Sequence, residues 1–431
     1  MRDFARLLRT NRNYRYAWTG QVVSEIGDHF NNIAVFSLAL HATGSGLVVS
    51  GVMLARAVPA VLAGPLAGVV LDRADRRLVM IASDLVRAVV ALAFVAAVYS
   101  PRPALLFSLS ALLMFASPFF TSGRAAILPS IASPEELHTA NTLTQATQWT
   151  TLTIGTVAAG VSASTLGYHA AFLLNSLSFL FSAWAVWQLH IPAEDRRARR
   201  RPLTQAQVAR PWHEYVEGLR YMQRQPLLIG IALLGVGWAS GGGAAQILFT
   251  LFGEVVFNRG AAGIGIIWGS AGLGLIVGGA VAHWLGPRLT FTRYKQLVAV
   301  CYLLHGGAYV VFSQMQNFAA ALAFIALSRA AVAITSVLNM TLLLRHVADQ
   351  YRGRVFATNE SLVWGTMMVS MFAAGVASQH VSPRTIGLWA GVLSSLTAVY
   401  WIAAARLGLL QFPDVDSDQG EEIEVRPELP A

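Results

Sequence analysis

Long runs of apolar residues, separated by short polar turns, are the dominant pattern along this chain of 431 residues. A helix that spans a bilayer needs about 20 largely apolar residues. Because lipid offers no hydrogen-bond partner to an open backbone, runs of this length must be helices. We predict an all-α polytopic membrane protein with both termini on the same side. Its twelve predicted spans are residues 15–41, 45–71, 78–99, 103–128, 139–165, 169–190, 226–257, 261–286, 291–313, 316–345, 354–379 and 383–409.

The arginines lie in alternate turns between these spans, and this alternation predicts the orientation. The Arg-rich segments are residues 2–15, 73–77, 196–210, 288–295 and 345–354. The other turns hold only Arg102, Arg259 and Arg384. Cytoplasmic loops carry the excess of Lys and Arg. We therefore expect both termini in the cytoplasm and the protein in a bacterial inner membrane.

Composition narrows the possible function classes. Only 12% of residues are charged, whereas soluble proteins carry about twice that fraction. The net charge of +9 is spread over separate loops rather than one surface, which disfavours a nucleic-acid partner. Cys301 is the single cysteine, and the histidines are scattered, so we predict no metal site. We find no nucleotide, hydrolase or metalloprotease motif, and we expect neither an enzyme nor a bound cofactor.

A polar stretch divides the spans into two sets of six. We predict a six-helix bundle at 1–190, a cytoplasmic linker at 191–225, a second bundle at 226–409 and an acidic, disordered tail at 410–431. The linker begins with a run of arginines. Its later part carries Trp212, Tyr215, Leu219 and Met222 at helical spacing, which predicts an amphipathic helix on the inner membrane surface.

The turn between spans 2 and 3 reads G-x-x-x-D-R-x-D-R-R at residues 68–77. It resembles the equivalent loop of major facilitator superfamily transporters. Other segments resemble the branch that contains the enterobactin exporter and macrolide efflux proteins. They are residues 7–28, A-R-A-V-P at 55–59, R-A-A-I-L-P at 124–129, S-P-E-E-L at 133–137 and R-G-R-V-F-A at 352–357. The glycine series of span 5 lacks the Gly-Pro pair that drug/proton antiporters often carry, which removes one usual support for export.

The resemblance implies the major facilitator fold: two six-helix bundles around a midplane cavity that opens alternately to each side, in a protein that acts as a monomer. It also implies that the turn is a cytoplasmic gate, with Asp72 bridging to the other bundle. The alternative is that its arginines only anchor the loop. The predicted gating residues are Gly68, Asp72, Arg73, Arg76 and Arg77, supported by a network of Asp84, Arg87 and Arg124.

Span 1 carries the charges that most favour a transport role. Glu25 and Asp28 share a helix face, and Asp28 and Arg56 both lie near mid-membrane. A lone ionised carboxylate is costly there, so it usually faces an aqueous cavity or a partner. We predict that Asp28, with Glu25 and Arg56, is the centre of proton coupling and substrate binding. A structural ion pair with Arg56 is the alternative.

Further polar residues in the spans are candidates for the same site. They are Asn31, Asn32, Gln145, Gln148, Trp149, Arg329 and Glu360. The carboxylates favour a cationic substrate, whereas Arg56 and Arg329 could hold an anionic group, and the sequence does not decide between them. Gly272, Gly274 and Gly278 lie inside a span and predict close helix packing rather than a nucleotide site.

The predicted function is proton-coupled export of a hydrophobic or amphipathic small molecule, such as a drug, a siderophore or a similar natural product. The expected partners are that substrate, protons and membrane lipids. A lysophospholipid flippase, or an importer or uniporter of a metabolite or metal, is an alternative, and a lipid substrate would require a lateral opening. A receptor-like protein that moves no solute is a further alternative, in which Asp28→Asn would change no flux.

Overall fold

The structure, a computed structural model, describes residues 2–190, 211–347 and 349–410, and its regular elements there are all helices. Two short turns of other helix types are a π-helical turn, Phe252–Val256, and a 3-10 turn, Gly286–Arg288. The α-helices are α1 (Arg2–Thr10), α2 (Arg12–Thr43), α3 (Gly46–Arg73), α4 (Arg76–Tyr99), α5 (Pro103–Ile131), α6 (Pro134–Thr165), α7 (Gly167–Trp187), α8 (Pro211–Gln223), α9 (Pro226–Leu251), α10 (Gly260–Leu285), α11 (Phe291–Gln314), α12 (Phe318–His346), α13 (Asp349–Ala377) and α14 (Pro383–Arg406).

A long helix lies at each predicted span, namely α2–α7, the first set, and α9–α14, the second set. Ten of these helices are long and apolar enough to cross a membrane, and the two that are not are α2 and α6. These two differ because α2 carries Glu25, Asp28 and adjacent asparagines, while α6 is rich in threonine. Twelve membrane crossings therefore stay a prediction.

Side-chain caps explain where several helices begin. Ser133 and Glu136 form a capping box that starts α6 at Pro134, ahead of the predicted residue 139. Asp75 caps α4 by accepting hydrogen bonds from the backbone N–H groups of Arg77 (2.9 Å) and Leu78 (3.2 Å). The charged turn at 68–77 is thus a helix end, a sharp break and a capped helix start.

The helices of the two sets pack in the same order. In the first set, α2 contacts α6 and α7, α4 contacts α5 and α7, and α3 contacts α5. In the second set, α9 contacts α13 and α14, α11 contacts α12 and α14, and α10 contacts α12. The sets meet through two equivalent pairs, α6 with α10 and α3 with α13. The second set therefore repeats the packing of the first, and a cavity can form between them.

The two pairs that join the sets differ in extent. Along α6 and α10 the contacts run from Trp149 beside Gly279 to Gly160 beside Gly265. By contrast, the contacts of α3 with α13 cluster at the start of α3, where Ser50 Oγ donates to the Met371 carbonyl at 3.0 Å. We call that end, with turns at 44–45, 166 and 378–382, the far end. The opposite end, with turns at 74–75, 132–133 and 289–290, is the basic end.

Hydrophobic clusters show which end is closed. The largest joins residues of both sets, including Leu38 and Val52 with Phe249 and Phe252. The clusters at the basic end each stay within one set, as around Ile127 in the first and around the buried tryptophan of α14 in the second. Because burial of shared apolar surface holds the sets together, they are closed at the far end and part toward the basic end.

The predicted amphipathic helix is present as α8 (Pro211–Gln223), which packs on α13. Gly218 lies against Arg354 and Thr358, and Met222 is buried beside the second set. The side chains of Trp212 and Tyr215, the Arg-rich part of the linker at 191–210, and the tail from 411 onward lie outside the described residues.

Candidate functional site

A cavity of about 500 Å³ lies between the two sets of helices. Such a volume suits a drug-sized molecule. Its wall is mainly apolar, and methionine side chains, which adapt to irregular shapes, contribute from three helices. They are Met53, Met114, Met367 and Met371. The polar wall residues are His29, Asn32, Arg56, Thr156 and Gln246. The cavity therefore combines an adaptable apolar surface with few polar groups.

The cavity reaches the gap where α3 and α13 separate. Val61 of α3 and Trp364 of α13 both line it, yet they are 57% and 47% exposed. The seam between α6 and α10 closes the opposite flank, where Leu152 and Thr156 of α6 form the wall. Among the described helices, the wall of the site is therefore exposed where α3 and α13 separate and covered where α6 and α10 pack together.

Arg56 places a positive charge in the cavity wall. It lies on α3, is buried, and donates from Nη1 to Oδ1 of Asn31 at 3.0 Å. Asn32, the next residue on α2, lines the cavity itself. Of the predicted binding residues, Arg56 and Asn32 therefore line the cavity. Asn31 is not a wall residue, and it orients the guanidinium group of Arg56 through this hydrogen bond.

Asp28 lies one turn before Asn31, inside the first set. The charged groups that act on it electrostatically are Arg87, Arg56 and Glu25. It forms no ion pair or hydrogen bond with any residue that the structure describes, because the guanidinium of Arg56 is turned to Asn31 instead. The structural ion pair with Arg56, the alternative interpretation, is therefore not formed here. A carboxylate with cationic neighbours but no direct partner is suited to gain and lose a proton.

Asp28 belongs to a cluster of three carboxylates and three guanidinium groups in the first set, namely Glu25, Asp28, Asp84, Arg56, Arg87 and Arg124. Asp84 and Arg87 form a buried ion pair, and Arg87 also lies over the rings of Phe120 (4.7 Å) and Phe179 (4.3 Å). With equal numbers of each sign, the cluster balances its charge, which offsets the cost of removing it from water.

The network predicted around the gate is placed differently. Arg124 Nη1 lies 3.5 Å from Glu25 Oε1, and Asp84 pairs with Arg87, so none of the three joins Asp72. The predicted link from these residues to Asp72 is therefore not formed in this conformation, and their gating role stays a prediction. Helical spacing showed that Asp84 and Arg87 share a face, but it could not show that this face turns toward α2 and α7.

The charged turn itself is fastened to the first set. Arg76 Nη1 donates to the Ala126 carbonyl at 3.0 Å, and Arg77 donates to the carbonyls of Val186 and Trp187 at the end of α7. Cations are favoured at a helix C-terminus. Asp72 and Arg73 are exposed and contact no described residue of the second set, and a side chain at Gly68 would meet open space. Their gating role stays a prediction.

The remaining predicted residues do not line the cavity. Gln145 and Gln148 are exposed, and Trp149 packs on Gly279 of α10. Glu360 is also exposed and accepts a hydrogen bond from Trp364 at 3.2 Å. Arg329 is buried beside Phe249, at 5.1 Å from the ring centroid, and forms no ion pair with Glu360.

The wall also contains residues that were not predicted to line a site, namely His29, Gln246, Trp268 and the methionines. A signal existed only for Gln246, whose amide interrupts the otherwise apolar end of α9. In the described part of the chain, no group of three or more His, Cys, Asp and Glu side chains could hold a metal ion.

Comparison with protein families matches residues 17–365 to the Major Facilitator Superfamily. The chain belongs to this superfamily. It is therefore a multi-pass membrane transporter and not an enzyme. The twofold repeat of helix packing agrees with that membership.

Two relatives cover almost the whole chain. The putative bacilysin exporter BacE of Bacillus subtilis (strain 168) is 22% identical over 386 residues, which are 88% of this chain and 93% of that protein. Macrolide efflux protein A of Streptococcus pyogenes is 22% identical over 389 residues, which are 89% of this chain and 93% of that protein. The predicted likeness to macrolide efflux proteins is confirmed.

Solved structures agree in fold. A bacterial homologue of the iron transporter ferroportin in an inward-facing state has a TM-score of 0.69 at 16% identity, covering 90% of this chain and 98% of that one. The nucleoside transporter NupG (D323A mutant) also has a TM-score of 0.69, at 13% identity, covering 90% of this chain and 99% of that one. At such identities the likeness concerns the fold alone.

Proposed function

We propose that this transporter exports a hydrophobic or amphipathic small molecule in exchange for protons. The observation that carries the proposal is the apolar, methionine-rich cavity of about 500 Å³ next to the unpaired carboxylate Asp28. The relatives named for bacilysin export and macrolide efflux support the outward direction. The substrate belongs to the size and polarity class of such natural products.

The basic end faces the cytoplasm in this proposal, because its turns hold most of the arginines. The described conformation is then open to the inside and closed at the far end. Both termini lie in the cytoplasm of a bacterial cell, and the protein acts as a monomer in the inner membrane. Substrate enters from the cytoplasm or the inner leaflet.

Asp28 provides the coupling. When it is ionised, the cluster in the first set holds three negative and three positive groups. Its protonation leaves one positive charge in excess beside the cavity, where Arg56 forms part of the wall. Proton uptake therefore changes the electrostatic field that a bound substrate experiences. The proton and the substrate then favour opposite conformations of the transporter, so that binding of one promotes release of the other.

The test is proton movement in proteoliposomes loaded with a pH-sensitive dye, with macrolides, siderophores and cationic dyes added in turn. Asp28→Asn should abolish substrate-dependent proton movement while retaining substrate binding. Asp75→Asn is the matched control, since asparagine caps a helix as well as aspartate does. Substrate movement that continues unchanged in Asp28→Asn, with no accompanying protons, would rule out the coupling.

The lateral opening favours lysolipid flipping as a second candidate. A lipid-like substrate needs an entrance from the bilayer, and the gap at Val61 and Trp364 provides one. Fluorescent lysophosphatidylethanolamine in the inner leaflet would then become accessible outside in proteoliposomes with protein, but not in empty ones. Failure to move this lipid, together with movement of a macrolide, would reject this candidate.

A further inference from the structure

Arg329 is a buried cation without a counter-charge. It lies on α12 and is 6% exposed, and it forms no hydrogen bond or ion pair with any residue that the structure describes. Its guanidinium group lies over the ring of Phe249, 5.1 Å from the centroid. The Tyr309 hydroxyl is an electrostatic neighbour of the guanidinium group, and no described carboxylate is one.

Three arginines inside the first set each have an acidic side chain nearby. Arg87 pairs with Asp84, Arg124 pairs with Glu25, and Arg56 has Asp28 as an electrostatic neighbour. A buried cation is costly unless an anion accompanies it. Arg329 is therefore the exception among these, because no anionic side chain of the described residues accompanies it.

The Tyr309 hydroxyl offers an unused hydrogen-bond donor beside Arg329, since it is buried without a partner. His305, also acted on by Arg329, is already bound to Ser328, with Nδ1 at 2.8 Å from Oγ. Guanidinium and phenol groups can satisfy a carboxylate or phosphate through charge-assisted hydrogen bonds. The Trp268 indole N–H, which lies toward the cavity, is also buried without a partner.

A chain of aromatic rings connects this position with the cavity. Trp268 lines the cavity, and its ring lies 4.9 Å from that of Phe249, on which Arg329 sits. Phe312 lies between Phe249 and Tyr309, at 6.1 and 5.5 Å. Arg329 is thus joined to the cavity wall through a single aromatic ring, that of Phe249, on the side formed by the second set.

We infer that Arg329 and Tyr309 form an anion subsite that receives the carboxylate or phosphate group of an amphipathic substrate. The apolar part of that substrate occupies the methionine-lined cavity. This inference rests on the proposed export function and specifies its substrate class, amphipathic anions rather than cations. Asp28 in the first set binds the proton, and Arg329 in the second set binds the substrate head group.

The test compares two probes that share one apolar chain and differ at the head group, a carboxylate in one and its neutral methyl ester in the other. Dansylamino-undecanoic acid and its methyl ester are titrated into the full chain in nanodiscs of zwitterionic lipid, and dansyl fluorescence reports binding. The wild type should bind the acid about tenfold or more tightly than the ester, as expected of a charged hydrogen-bonded contact. Arg329→Gln should abolish the preference, Arg329→Lys should retain part of it, and Tyr309→Phe should reduce it a few-fold.

Arg293→Gln is the matched control, because it removes an exposed arginine of the second set and should leave the preference intact. Millimolar inorganic phosphate should weaken binding of the acid but not of the ester if the head group occupies the subsite. Equal binding of acid and ester by the wild type, with or without phosphate, would overturn the inference and leave only a site for a free inorganic ion. An unchanged preference in Arg329→Gln would overturn it as well.

Proton movement and probe binding together distinguish failure of the anion subsite from failure of the proposed export. Proton movement that a cationic dye drives, that Asp28→Asn abolishes and that Arg329→Gln leaves intact would support export but reject the anion subsite. A preference for the acid without any proton movement would support the subsite and reject the coupling.

Discussion

Glu25 and Arg124 join α2 to α5 inside the first set, with 3.5 Å between Oε1 and Nη1. Glu25 also accepts hydrogen bonds from Gln21 (2.7 Å) and Thr151 (3.0 Å). Because both charges are largely buried, loss of one leaves the other without its partner. We predict that Arg124→Gln destabilises the protein by about 1–3 kcal/mol, measured as thermal unfolding in detergent.

The double variant Glu25→Gln/Arg124→Gln tests this pairing. It should lose less stability than the sum of the two single variants, because it removes both charges together. Losses that simply add would show that the two side chains do not interact. Arg293→Gln, at an exposed position, should leave thermal unfolding unchanged.

The same residues show how far a sequence can define a site. Spacing placed Glu25 and Asp28 on one face, and burial of charge suggested that they matter. Spacing says nothing about which helix lies opposite, so Arg124 was assigned to the gate although it pairs with Glu25. Likewise, Asn31 accepts the hydrogen bond from the guanidinium group of Arg56. Which residue pairs with Arg56 depends on side-chain geometry across two helices, which the sequence does not show.

At the scale of the elements, the seam between α6 and α10 depends on small residues. A Cβ atom at Gly265 would lie 2.9 Å from Cα of Gly160, and would also meet the carbonyl of Thr156. We predict that Gly265→Ala forces the helices apart and destabilises the protein by about 1–3 kcal/mol. Thermal unfolding would measure this loss, and transport should fall with it.

Gly307→Ala on α11 is the control, because a Cβ there meets nothing within 4 Å. Alanine favours a helix over glycine by about 1 kcal/mol, so this variant should be as stable as the wild type or more so. If Gly265→Ala were equally stable, close packing along the seam would not be needed.

Apolar runs predicted the helices because length and hydrophobicity suffice for that purpose. The start of α6 at Pro134 was missed because a capping box, rather than hydrophobicity, sets it. The packing predicted for the glycine series of α10 is confirmed, since Gly272 meets Thr153 of α6 and Gly274 meets Ala326 of α12. The cavity wall could not be predicted, since its methionines come from α3, α5 and α13 and share no sequence pattern.

At the scale of the whole molecule, the proposed export by alternating access requires the far end to open. A Cβ atom added at Gly46 of α3 would lie 3.0 Å from Cβ of Ser378, in the turn after α13. A small shift would bring the pair to the roughly 3.5–4.5 Å between Cβ atoms of a disulfide. We predict that Gly46→Cys/Ser378→Cys, with Cys301→Ala, blocks substrate movement under oxidising conditions. A reducing agent should restore it in the proteoliposome assay.

The control cross-link lies within the second set. Gly237→Cys/Thr397→Cys also places Cβ atoms 3.0 Å apart, but it joins α9 to α14 and should permit turnover in the oxidised state. Full transport with the far-end bond formed would mean that the two sets do not separate there.

The closed seam on one flank and the gap between α3 and α13 on the other have a consequence for living cells. In the proposed export, a compound dissolved in the inner leaflet would reach the cavity sideways, without first returning to water. Its supply would then be governed by its oil–water partition coefficient, and its rate of export should follow lipophilicity more closely than the total cytoplasmic concentration. Two compounds with the same head group and different chain lengths would therefore be cleared at different rates from equal doses.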